Sequence, residues 1–179
     1  MSIPAAPDPI APSALAAVPW PRPGQSWYVV ALLVMAYAFG VVDRIILSLL
    51  VQPVKADLGL SDTEMGLVLG PAFALLYTLL GLPAGMLVDR WRRVPVVWAG
   101  LLLTSVATLG AGFAGAFWTL ALARLAAGAG QATTWPACTS LIADYFPAEQ
   151  RARAYGIFAM GGSIGIGIAY LLGGFAMDL

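Results

Sequence analysis

The sequence predicts an all-α polytopic membrane protein with five transmembrane helices, and three observations carry that prediction. Hydrophobic residues make up 60% of the chain and charged residues 10%, against roughly a quarter charged in an ordinary globular domain. Mean hydropathy is +0.86. Uncharged runs fill Met65–Val88, Val94–Ala123, Leu125–Ala143 and Ala154–Met177, each at or beyond the ~18 residues that mark a spanning helix.

Residues 1–26 hold seven of the 13 prolines, many alanines and one basic residue, Arg22. They lack the basic start and apolar centre of a signal peptide, so a disordered cytoplasmic arm is expected there. The first helix is placed at 27–51, with Asp43-Arg44 inside it. Neither flank of that pair is long enough to cross a bilayer alone. Ser61-Asp-Thr-Glu64 has the spacing of a capping box and opens a second helix at 63–88. The run from Val94 is too long for one span. Its "GAGFAGAFW" (Gly110–Trp118) supplies the glycines and aromatics of an interfacial turn. Helices three and four are therefore placed at 95–114 and 117–144, and a fifth at 153–177.

Charge distribution predicts the orientation. Arg90, Arg92 and Arg93 fall between helices two and three, Arg151 and Arg153 between four and five, and Arg22 before helix one. The opposite loops contain only Lys55, beside Asp57, Asp62 and Glu64. Basic loops stay cytoplasmic, so the amino terminus is expected inside a plasma membrane (the inner membrane in a bacterium). An odd number of spans suggests part of a larger protein.

Several function classes are disfavoured. Histidine is absent and Cys138 stands alone in an apolar helix, which removes histidine triads, most zinc sites and any disulfide framework. A formal net charge of zero gives no reason to expect nucleic acid. No enzyme, cofactor or metal is expected.

Arg44 and Arg124 are the two basic residues inside spans, and Asp43 accompanies them. Intramembrane charge costs about 2.5–3.5 kcal/mol even on the lenient insertion scale, and such groups face partners or wet cavities. Asp43 lies roughly 12 Å from the outer end of helix one, and Arg124 roughly 10 Å from the outer start of helix four, at 1.5 Å per residue. The two groups share a level. If helices one and four are neighbours, Asp43 can pair with Arg124 while Arg44, turned about 100°, points into a cavity. Burial and neighbouring arginines pull the protonation of a carboxylate in opposite directions, which makes Asp43 a candidate proton carrier. Arginine keeps its charge and suits an anion. A permanent ion pair that only fixes helix packing is the structural alternative.

Arg124, Gly128, Gln131 and Trp135 fall on one face of helix four, and Tyr37, Gly40, Arg44 and Ser48 on one face of helix one. Opposed, the two faces would form a cavity with a cationic level and an aromatic wall. Pro136 removes a backbone hydrogen bond beside it. Gly66-xxx-Gly70, Gly81-xxx-Gly85 and Gly161-xxx-Gly165 predict close helix packing.

"GMLVDRWRR" (Gly85–Arg93) resembles the loop between helices two and three of the major facilitator superfamily. "RLAAGAGQA" (Arg124–Ala132) is similar to that superfamily's helix-four motif, and "DYFPAEQRARAYGI" (Asp144–Ile157) to its loop between helices four and five. The resemblance spans residues 27–179. Within the superfamily, the segment from Asp43 to Gly85 most resembles the spinster branch, whose members move lysophospholipids and sphingoid phosphates.

The resemblance implies the incomplete amino-terminal half of a two-bundle fold, the remaining carboxy-terminal half being its partner. It implies alternating access with Asp43 as the protonation site, and Arg44, Arg124, Gln131, Tyr37 and Trp135 around an anionic substrate. Gln131 stands where spinster-like chains usually carry an acid, so any coupling rests on Asp43 alone. Gly85 would permit close backbone approach at the cytoplasmic mouth. There Asp89, at i, i+4 from Arg93, would form an ionic latch with Arg90, Arg93 and Asp144; arginines that serve only topology are the alternative.

The expected function is proton-coupled secondary transport of an amphiphilic anion such as a lysophospholipid. The alternatives are a small organic-anion or organophosphate transporter of the same superfamily, and a five-helix membrane scaffold that transports nothing. The partners are then the anion, protons and the bilayer.

Overall fold

The computed structural model describes residues 20–177, which contain no strand and seven helices. They are α1 (Pro23–Leu49), α2 (Val51–Leu58), α3 (Asp62–Leu69), α4 (Pro71–Arg90), α5 (Arg93–Gly112), α6 (Phe117–Tyr145) and α7 (Ala148–Met177). Five long rods result, because α3 and α4 form one interrupted rod and α2 is a short helix in the first loop.

Four segments are long and apolar enough to cross a membrane: Pro23–Leu49, Asp62–Val88, Arg93–Gly112 and Ala148–Phe175. Helix α6 has 29 residues but is more polar. It can be, because it is the innermost rod: Arg124, Gln131, Thr134, Cys138 and Ile142 are all buried along it. Large apolar side chains such as Trp98, Leu109, Phe113, Leu122 and Leu171 are exposed, on a surface that lipid would cover.

Helix α6 packs along α4 and α5, while α1 packs along α7. Small residues set these distances. A Cβ added to Gly128 would come within 2.3 Å of the Phe73 carbonyl of α4, and one on Gly100 of α5 within 2.7 Å of the Gly130 carbonyl. On α7, Gly165 lies against the Ala38 carbonyl of α1, where a Cβ would stand only 2.5 Å away. The Gly161-xxx-Gly165 seam is thus a true close contact. Gly66 and Gly81, by contrast, face open space, so the motifs of the second rod do not mediate packing here.

Element boundaries differ from the sequence reading for local reasons. Helix α1 begins at Pro23, not at residue 27; proline suits the first helical turn. Ser26, placed in the arm by sequence, is buried, and its hydroxyl donates to the Tyr145 carbonyl at 3.1 Å. Residues 1–19 of the expected arm lie outside the described residues. The second rod breaks at Gly70 because Pro71 lacks an N–H and disfavours helical geometry in the residue before it. The Ser61–Glu64 capping box is formed, with Ser61 N–H donating to Glu64 Oε2 at 2.9 Å.

Helix α7 starts at Ala148 rather than 153, which brings Arg151 inside a helix. Its Nε donates to the Phe146 carbonyl and its Nη2 to the Ala143 carbonyl, both at 2.9 Å. Arg151 therefore satisfies carbonyls that the end of α6 would otherwise leave unpaired. Arg153 sits over the Trp27 ring, 5.4 Å from its centroid. The arginine-bearing segments meet at one end of the bundle, and α2 with its acidic neighbours lies at the other.

Candidate functional site

The site forms where α1 meets α6, with Asp43 in the second half of α1 and Arg124 in the first half of α6. Asp43 is buried, its side chain 9% exposed, and Arg124 is 5% exposed. Arg124 Nη1 donates to Asp43 Oδ2 at 3.3 Å, and both terminal nitrogens reach the Asp43 carbonyl at 3.4 Å. A carboxylate and a guanidinium removed from water are tolerable only when paired and hydrogen-bonded in this way.

Gln131, one face along α6, donates through Nε2 to Asp43 Oδ2 at 3.2 Å. Its Oε1 accepts from Arg44 Nη2 at 2.9 Å. The amide therefore bridges the buried acid and the neighbouring arginine. A carboxylate could accept from both arginines but could not donate to Asp43, so the glutamine is the residue type this geometry needs.

Arg44 points toward the cavity, as expected, and has partners there. Besides Gln131, it lies over the rings of Phe73 at 4.6 Å and Tyr77 at 5.4 Å, within the range of cation–π attraction. It nevertheless stays exposed toward a cavity of about 550 Å³ that also meets Tyr37, Asp43, Gln131 and Trp135. That volume falls in the range of small-molecule sites. Tyr37 and Trp135 form its aromatic wall, and the buried Phe158 of α7 backs them both, with ring centroids 5.1–5.3 Å apart. Gly40 faces Gln131 across the α1–α6 contact, where an added Cβ would lie 3.7 Å from the amide, an ordinary van der Waals distance. Gly128 departs from the expected stripe: it faces α4 rather than the cavity.

Two contributors were missed by sequence reasoning. Phe158 is buried in α7, and only the packing of α7 on α1 brings it to Tyr37. Thr108 of α5 donates to Asp43 Oδ1 at 2.5 Å. Its signal was present: Gly100, Thr104 and Thr108 recur every four residues within an otherwise apolar run.

At the arginine-bearing end, Arg93 and Asp144 form an ion pair joining the start of α5 to the end of α6. The expected i, i+4 relation of Asp89 to Arg93 needs a continuous helix, but α4 ends at Arg90 and Trp91 is extended. The side chain of Asp89 lies outside the described residues. Arg90 is exposed. Gly85 shows no close approach, since a Cβ there would meet nothing within 4 Å.

The geometry can be set beside known proteins. Residues 14–179 match the Major Facilitator Superfamily. The human Protein spinster homolog 1 is 31% identical over 159 residues, which is 88% of this chain and 30% of that protein. The D-galactonate transporter of Escherichia coli is 30% identical over 81% of this chain and 34% of its own. A crystal structure of a bacterial homolog to the human lysosomal transporter Spinster, inward-facing and unoccupied, superposes with a TM-score of 0.83. It is 36% identical, over 86% of this chain and 32% of that one. The chain thus spans about a third of the length of these relatives. The chain belongs to the Major Facilitator Superfamily, a family of transporters rather than enzymes, and is spinster-like within it.

Proposed function

We propose that this chain forms the amino-terminal part of a proton-coupled transporter of an amphiphilic anion such as a lysophospholipid. One observation carries the reading: Gln131 links a buried carboxylate to an arginine that lines the cavity. With Asp43 ionised, the Gln131 amide and Arg124 are held on its oxygens. Protonation removes the negative charge, weakens both contacts and leaves Arg44 and Arg124 with one more uncompensated positive charge beside the cavity. An anion then binds more tightly, and by reciprocity a bound anion favours the protonated site. The aromatic wall of Tyr37 and Trp135, backed by Phe158, suits an apolar tail.

The Arg93–Asp144 pair supports a latch at the arginine-bearing end that parts when the cavity opens there. Positive-inside charge supports a cytoplasmic amino terminus and residence in the plasma or bacterial inner membrane. The carboxy-terminal half would supply the second wall of the cavity.

A small organic anion is the second reading, favoured by the similarity to the D-galactonate transporter and by the charge-assisted donors at Arg44. The scaffold reading is set aside, because the family is one of transporters. Competition separates the two substrates. In proteoliposomes of the intact native protein, acid-driven uptake of radiolabelled lysophosphatidylglycerol should be inhibited by other lysophospholipids and not by galactonate. Inhibition by galactonate alone would favour the small-anion reading instead.

A further inference from the structure

Two cavities meet at Asp43. Beyond the 550 Å³ cavity, a second of about 280 Å³ lies at the opposite end from the arginine-bearing loops, between α2 and the adjoining ends of α5 and α6. Asp57, Leu120 and Arg124 line it. Among the described residues, three line both cavities: Asp43, Ile46 and Thr108. The partition is therefore the Asp43–Thr108 hydrogen bond backed by one isoleucine. Arg124 Nε is buried with no partner among the described residues, so the second cavity suits water, at roughly 30 Å³ per molecule.

The Thr108 hydroxyl carries one proton but has two acceptors, Asp43 Oδ1 at 2.5 Å and the Thr104 carbonyl at 2.9 Å. With Asp43 ionised, the proton points to Oδ1. With Asp43 protonated, Oδ1 donates to Thr108 Oγ1 and the Thr108 proton turns to the Thr104 carbonyl. Neither state leaves a buried polar group of this trio unpaired, and an unpaired group is what makes a charge change costly in an interior.

We propose that protons reach Asp43 from the second cavity, through Thr108, by a route separate from the cavity that takes the anion. This rests on the reading of Asp43 as the proton carrier. A hydronium in the second cavity gives a proton to Thr108 Oγ1 while the original Thr108 proton passes to Asp43 Oδ1. Water, a neutral threonine and a neutral carboxyl result, so one proton has moved and one charge pair has been cancelled.

The groups around Asp43 fit that task. Arg124 faces it from α6 and Asp57 lines the second cavity from α2; Arg44 adjoins it on α1, and Tyr77 of α4 lines the first cavity. Helix α5 offers hydroxyls only, Thr104, Ser105 and Thr108, and α7 lines neither cavity. Asp57 is exposed, where its charge concentrates protons at the mouth.

The test uses the intact native protein in proteoliposomes, with lysophosphatidylglycerol uptake driven by a pH gradient compared with counterflow at equal pH. Thr108→Val should lower driven uptake roughly tenfold or more, well beyond any effect it has on counterflow. Thr108→Ser, which keeps the hydroxyl, should behave as native. Gly112→Leu is the second probe: Gly112 lines the second cavity, and a Cβ there meets nothing within 4 Å. It should slow driven uptake while sparing counterflow. Driven uptake that survives in both Thr108→Val and Gly112→Leu overturns the route while leaving Asp43 as carrier intact. Loss of counterflow together with driven uptake in Thr108→Val also overturns it, since the hydroxyl would then serve anion transport itself. Counterflow without driven uptake in the native protein removes the coupling reading, and this route with it.

Discussion

Gln131 holds Asp43 and is held by Arg44: its amide nitrogen lies 3.2 Å from Asp43 Oδ2 and its oxygen 2.9 Å from Arg44 Nη2. A neutral side chain thus bridges a buried acid and a cation at the cavity. Asp43→Asn, which removes the carboxylate's charge, should bind an anionic lysophospholipid several-fold more tightly than the native protein. Gln131→Leu should shrink that difference, because the bridge is gone while both charges remain. Tryptophan fluorescence titrations of the native protein, the two single variants and the double variant check this.

The Asp43–Arg124 pair predicts strong non-additivity. Breaking a buried pair from one side costs about 3–5 kcal/mol, because the survivor is stranded. Arg124→Met and Asp43→Leu should each lower the unfolding temperature in detergent substantially. The double variant should recover much of the loss, its partners being apolar and of similar size. A thermal double-mutant cycle measures the coupling directly.

Arg151 closes the end of α6 through two charge-assisted hydrogen bonds to carbonyls. Arg151→Gln should cost on the order of 1–3 kcal/mol. Hydrogen exchange should then rise at the last turn of α6 and the first turn of α7, and stay unchanged at the distant capping box of Ser61 and Glu64.

The glycines of α7 are not equivalent. Gly165→Val places atoms where the Ala38 carbonyl already stands and should destabilise the bundle by ~1–3 kcal/mol. Gly167→Val points into open space and should be close to neutral. Thermal unfolding of the two variants side by side separates a packing seam from a merely glycine-rich helix.

Much of this architecture was legible in the chain. Uncharged runs located the five rods, and a count of helical rise put Asp43 and Arg124 at one level, where they do meet. What stayed hidden depends on helix rotation and on contacts distant in sequence. Arg151 reads as a loop charge and becomes a cap only because α7 begins early; the Arg93–Asp144 contact, by contrast, is expected from the sequence and is present. Thr108 lies in an uncharged run, where the recurrence of Gly100, Thr104 and Thr108 marks a face but not what that face meets. Its contact with Asp43, 65 residues away in sequence, is visible only once α5 is seen against α1. Local pattern carries the spans; the polar network is a property of their assembly.

The central claim is that Asp43 carries the proton. The most direct measurement is pH-gradient-driven lysophosphatidylglycerol uptake by the intact native protein and its Asp43→Asn variant, each with counterflow at equal pH as reference. Asparagine keeps the size and the hydrogen-bonding capacity of the site but has no proton to exchange. The account predicts driven uptake in the native protein, its loss in Asp43→Asn, and counterflow in both. Driven uptake of equal size in the two proteins would contradict it and leave the Asp43–Arg124 pair a fixed strut between α1 and α6.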